Sequence, residues 1–274
     1  MRFILSIGLF CIISVTALAQ GAFNWPEDEA TAKEKNVLYS DALKTKDYNA
    51  AVEPHQWLLD NAPDLNPSIY INGVKIYDGL IKAETDKDKK AEYQQKVMQL
   101  YDDRIKYFNK EVNVLNRKAL SAYKYYINNS SKSEELYQLF ETTIDKSGAE
   151  FFTNLLVAYM NVLKKYNSVT KSLTDEDILN KYDKISGIID EKIKSGKDKE
   201  KVLKQKDLVD KLLTSMVKVD CDFIANTLGP KFTENPEDLS QAKKIMGLSL
   251  AGSCTDLPVF LEAAKVVQAY EPDF

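Results

Sequence analysis

A chain of 274 residues with a single histidine, His55, and three cysteines has few ways to do chemistry. A Ser-His-acid triad would have to pass its proton through His55. That residue lies four after Ala51 on a predicted buried helix face, so a packed core imidazole is the expectation. A zinc site needs a cluster of histidine and cysteine, which these residues cannot furnish. No glycine-rich phosphate loop or nucleophile elbow is present. Asp86-Lys87-Asp88 begins like a calcium loop but lacks the required glycine and terminal glutamate. Two acid clusters, Glu27-Asp28-Glu29 and Asp175-Glu176-Asp177, are the remaining candidates, as paired carboxylates for glycoside hydrolysis. Each stands at a predicted helix start, where carboxylates favour the exposed N–H groups, so capping is the expected role. The sequence therefore predicts no catalytic residues, no metal ligands and no cofactor.

The first residues, MRFILSIGLFCIISVTALAQ, combine Arg2, an apolar run from Phe3 to Val15 and a small-x-small Ala17-Leu18-Ala19. That pattern predicts a secretory signal peptide over 1–19, because the run is shorter than the ~20 residues of a spanning helix. Cys11 sits in mid-run behind Leu9-Phe10, which argues against lipidation. Cleavage leaves Cys221 and Cys254, and an even pair in an exported chain is expected as a disulfide, with two buried thiols as the alternative. The expected location is the periplasm or the exterior. Without Arg2 there are 36 basic against 41 acidic residues, a net charge of −5, and no basic stripe recommends a nucleic acid partner. After the leader no second apolar run is long enough to cross a membrane.

Any site must be positioned by helices. Ten glycines and eight prolines are too few for a turn-rich β protein. Apolar residues fall at Phe152, Leu155, Leu156, Tyr159, Met160, Leu163 and Tyr166, and again at Ile178, Leu179, Tyr182, Ile185, Ile188, Ile189 and Ile193, the stripe of an amphipathic helix. Ser133, Thr174, Asn66-Pro67 and Asn235-Pro236 read as helix starts. Helices are predicted at about 27–44, 48–61, 67–83, 87–108, 112–127, 133–145, 149–166, 175–194, 199–217, 220–228, 237–251 and 256–270. Short connections make antiparallel pairs the natural arrangement.

Lys46-Asp47-Tyr48-Asn49-Ala50-Ala51-Val52 resembles the turn and second-helix start of a tetratricopeptide repeat. Ala51 stands twelve residues before Pro63, Leu38 falls in the first-helix leucine slot, and Gly73, 34 residues after Tyr39, falls in the glycine slot of the next unit. Tyr39 occupies a normally small position, His55 an aromatic one, and extra residues enter near Glu84–Lys90. With Trp25-Pro26-Glu27-Asp28, Trp57-Leu58-Leu59-Asp60-Asn61-Ala62-Pro63, Tyr101 to Phe108 and the Cys221/Cys254 pair, the whole chain is similar to exported tetratricopeptide-repeat proteins of Bacteroidota.

The resemblance implies an all-α, right-handed superhelical stack of helix pairs: repeat-like over 20–111, divergent over 112–217, and repeat-like again over 218–274. It also implies a concave groove lined by the first helix of each pair, here Asn36, Ser40, Leu43 and Lys44, then Tyr70, Val74, Tyr77 and Asp78. The function expected is a non-enzymatic envelope scaffold for a protein or peptide partner. A glycan- or nutrient-binding accessory protein and an extracytoplasmic hydrolase are the alternatives. Tyr270-Glu271-Pro272-Asp273-Phe274 repeats the form of Asp60-Asn61-Ala62-Pro63-Asp64-Leu65 but leads into no further helix. The last predicted helix, apolar at Val259, Phe260, Ala263, Ala264, Val266, Val267 and Tyr270, is unlike a polar cap. A longer protein or self-association through this end is therefore expected.

Overall fold

A computed structural model of the chain describes residues 23–196 and 198–271. The expected signal peptide with Cys11, and Pro272-Asp273-Phe274, lie outside the described residues. Every regular element described is helical, with no strand among them. They divide into two compact units, one ending at Asn109 and the next beginning at Lys110.

The first unit holds α1 (Glu29–Lys44), α2 (Tyr48–Asn61), α3 (Ser68–Ala83) and α4 (Lys87–Phe108), each packed on the next in sequence. Aspartates start three of them. Asp28 accepts from the Thr31 amide, Asp47 from Ala50, and Asp86 from Asp88 and Lys89. Asn66 serves α3, its Oδ1 accepting from the Ser68 amide at 2.9 Å. A close three-helix approach is at Gly73, where a Cβ would lie 2.6 Å from His55 Cε1 on α2 and 3.0 Å from Leu100 Cδ1 on α4. Tyr39, 1 % exposed, fills the position where the repeat pattern expects a small residue, its ring edge-on to His55 at 5.5 Å. Leu38, which falls in the first-helix leucine slot of the repeat pattern, is 47 % exposed.

Gly73 and Gly187 give opposite expectations for one substitution. Gly73→Ala is expected to cost about 1–3 kcal/mol by overpacking. Gly187→Ala, on a helix of the second unit where a Cβ meets nothing within 4 Å, is expected to gain about 0.5–1 kcal/mol. Urea midpoints of the two variants would move in opposite directions.

The second unit comprises α5 (Glu111–Tyr126), α6 (Ser133–Ser147), α7 (Leu156–Thr170), α8 (Asp175–Lys194), α9 (Lys199–Thr214), α10 (Cys221–Phe223), a π-helix (Ile224–Leu228), α11 (Gly229–Glu234), α12 (Leu239–Ala251) and α13 (Pro258–Tyr270). Its main pairings are α5 with α6, α6 with α7, α7 and α8 with α9, and α12 with α13. Thr174 and Asp177 form a capping box that starts α8.

Several expected boundaries are corrected. The helix predicted at 149–166 begins only at Leu156, after two 3-10 turns separated by extended Phe151 and Phe152. Buried Asn116 fixes that connector: its Oδ1 accepts from the Phe152 amide at 2.7 Å and its Nδ2 donates to Ser147 Oγ at 2.8 Å. Ser133 does not cap α6; a 3-10 turn precedes it, and Asn129 accepts from the Ser131 amide. The helix predicted at 220–228 continues as π-helix and α11 through Gly229-Pro230, since proline in a first helical turn removes no needed donor. Asn235 then ends α11, and Asp238 caps α12.

Cys221 and Cys254 form a disulfide with their Cα atoms 5.4 Å apart. Cys221 opens α10 and Cys254 lies in the α12–α13 connection, so neither is held at the ~8–10 Å separation of packed helix axes.

Candidate binding cleft

In the second unit, α8, α9 and α12 enclose an open cleft of about 470 Å³. Alpha8 presents Tyr182, Ser186 and Asp190 at i, i+4 and i+8, one face of a helix. Alpha9 contributes Lys206 and Asp210, and α12 contributes Lys243, Lys244, Gly247 and Leu248. Its lining is mostly charged and polar, with a small apolar strip at Leu248, 5 % exposed, and Ala251.

Its charges are largely matched in pairs. Asp210 accepts from the Tyr182 hydroxyl and from Lys206 Nζ, both at 2.7 Å. Burial, then the Asp210 charge, pushes the Tyr182 hydroxyl well above the usual tyrosine range. Lys243 pairs with Glu271 at 2.6 Å, Lys211 with Asp207 at 2.7 Å, and Lys244 with Asp183. Asp190 differs: no hydrogen bond or ion pair among the described residues reaches its half-buried carboxylate. Burial raises its pKa, and the fields of Lys243, Lys206 and Lys194 only partly oppose that.

The groove expected on α1 and α3 is corrected at its two aromatic anchors. Tyr70 is 2 % exposed and Tyr77 6 %, so both are core side chains. Alpha4 covers them. At 22 residues against 14 for α2, it carries Tyr93 beside Tyr77 and both Tyr107 and Phe108 beside Tyr70. The Tyr70 hydroxyl donates to the Pro63 carbonyl at 2.8 Å. Asn36, Ser40, Leu43, Val74 and Asp78 are half-buried, and exposed Lys44 pairs with Asp41 on its own helix.

The other candidates take structural roles. His55 is fully buried, and its Nε2–H donates to the Ile69 carbonyl at 2.8 Å. Asp28 and Asp177 are spent on helix starts, as is Asp86, which the Lys89 amide above all holds below the usual carboxylate range. Among the described residues no group of three histidine, cysteine, aspartate or glutamate side chains could hold a metal ion. None of the described helices is long and apolar enough to cross a membrane.

Sequence reasoning missed the cleft. Ser186 and Asp190 carry no signal of their own beside the apolar stripe of that helix, and only the arrival of α12 from some fifty residues downstream makes them part of a wall. Comparison with protein-family models, with curated proteins and with solved structures gives no match.

Proposed function

We propose that the protein is a non-enzymatic binding module of the cell envelope that holds a peptide segment of a partner protein. The observation that carries this reading is the cleft between α8, α9 and α12, where charged and polar groups converge beside the apolar Leu248 and Ala251. A concave cleft in which polar groups converge beside apolar surface suits the holding of a ligand. The repeat-like pattern of the first unit supports the same reading, since stacked helix pairs serve as recognition surfaces, and a right-handed superhelix belongs to it. An exported location agrees with the disulfide.

Site-specific photocrosslinking tests the reading. Gly247 lines the cleft and a Cβ there meets nothing within 4 Å, so a benzoylphenylalanine can be introduced there without a clash at its Cβ. Irradiation of intact cells is expected to yield a discrete protein adduct from position 247 and none from exposed Lys89 in the first unit. Equal labelling at both positions, or no protein adduct at 247, would reject it.

A further inference from the structure

We infer that the cleft receives the primary ammonium of a lysine side chain, with Asp190 and Ser186 as its acceptors. This rests on the peptide-binding reading above and specifies its ligand. Five aspartates and four lysines line the cleft, so its balance favours a cation. All four lysines are already engaged, with Asp210, Asp207, Glu271 and Asp183. Of the two aspartates left over, Asp238 caps α12, and Asp190 keeps a half-buried carboxylate reached by no donor among the described residues. One helical turn earlier on the same face, Ser186 Oγ is buried with its hydroxyl facing the Tyr182 oxygen and accepts no hydrogen bond. Buried polar groups in native proteins find partners, and two acceptors without donors on one cleft wall call for a ligand that donates to both.

The geometry favours an ammonium over a guanidinium. An ammonium directs three N–H bonds outward and can serve two acceptors one turn apart, whereas a planar guanidinium fork is matched to both oxygens of a single carboxylate. The wall formed by Leu248 and Ala251, with Gly247 leaving space between them and the opposite side, suits a four-carbon stem. A chain amino terminus has no such stem to bury.

The test titrates the purified full chain with acetyl-Ala-Lys-Ala-amide, with the same peptide carrying norleucine for lysine, and with 1,5-diaminopentane, following backbone amide shifts by NMR. Saturable shifts at Ser186 and Asp190 are expected from the lysine peptide. Binding about tenfold or more weaker is expected for the norleucine peptide and for the variant Asp190→Asn, since each removes one half of a charge-assisted hydrogen bond. Equal binding of lysine and norleucine peptides, or an unchanged affinity in Asp190→Asn, would overturn the ammonium assignment while leaving a peptide cleft in place. Tighter binding of the diamine than of the peptide would overturn the lysine side chain as its source. Absence of saturable shifts from both peptides would overturn this inference, and the photocrosslink at position 247 would then decide the broader reading on its own.

Discussion

Replacing Cys221 and Cys254 together by serine is expected to lower the stability of the second unit by about 3–4 kcal/mol. The bond closes a loop with a sequence separation of 33, and the chain-entropy model assigns a loop of that length a stabilisation of that size. The enclosed segment needs such a restraint. It contains the π-helix Ile224–Leu228, a poorer hydrogen-bonding geometry than the α-helix. Among the described elements, α12 and the short α11 and α10 adjoin that segment most closely. Trp25 and Trp57, the two tryptophans of the chain, both lie in the first unit. Circular dichroism reports both units, whereas tryptophan fluorescence reports the first. The serine variant should shift the dichroism transition and leave the fluorescence transition where it was. Two free thiols found by mass spectrometry of the non-reduced wild-type chain would remove the basis of the expectation.

The helices were legible because their causes are local. The stripe from Ile178 to Ile189 and the Thr174/Asp177 capping box specify α8 from Asp175 to Lys194 without reference to any neighbour. Where causes are tertiary, the sequence misleads. Phe151 and Leu155 are buried whether or not they are α-helical, so the apolar period runs on through a break that Asn116 imposes from 36 residues away. The π-helix leaves no periodic mark of its own. The aromatic groove failed for a related reason. Position within a repeat places Tyr70 and Tyr77 on an open face, but only the partner helix decides whether that face is open, and Tyr93, Tyr107 and Phe108 close it. The cleft needed three helices and could not be seen from one.

Acidification should weaken the first unit through one residue. His55 is the only histidine in the chain, so no other imidazole titrates in the same window. Its Nε2–H is given to the Ile69 carbonyl, which fixes the tautomer and leaves Nδ1 as the atom that would take a second proton. Nδ1 is buried without a hydrogen-bond partner, so that proton would place a charge among apolar neighbours with nothing to receive it. Burial is the main cause that lowers the His55 pKa from 6.5 to about 4, with Lys96 adding to it and the Ile69 hydrogen bond opposing it. In the unfolded chain the imidazole keeps its ordinary affinity. Between pH 6.5 and 4 the unfolded state therefore binds the extra proton, and stability falls as pH falls. The full contribution is present above that window and is spent by its lower end, where the folded state begins to protonate as well. At 1.36 kcal/mol per pKa unit the loss is about 3 kcal/mol. His55→Gln retains a donor for the Ile69 carbonyl and does not titrate. Its own cost is a constant offset, and any titrating carboxylate, Asp190 among them, cancels when the two proteins are compared pH by pH. The difference in unfolding free energy between wild type and His55→Gln, followed by tryptophan fluorescence in urea, should shrink steadily from pH 7 to 4 and then level off. A difference that stays flat across that range would show that His55 is not buried neutral in the fold, and with it would go the interlock of α2, α3 and α4 around Gly73.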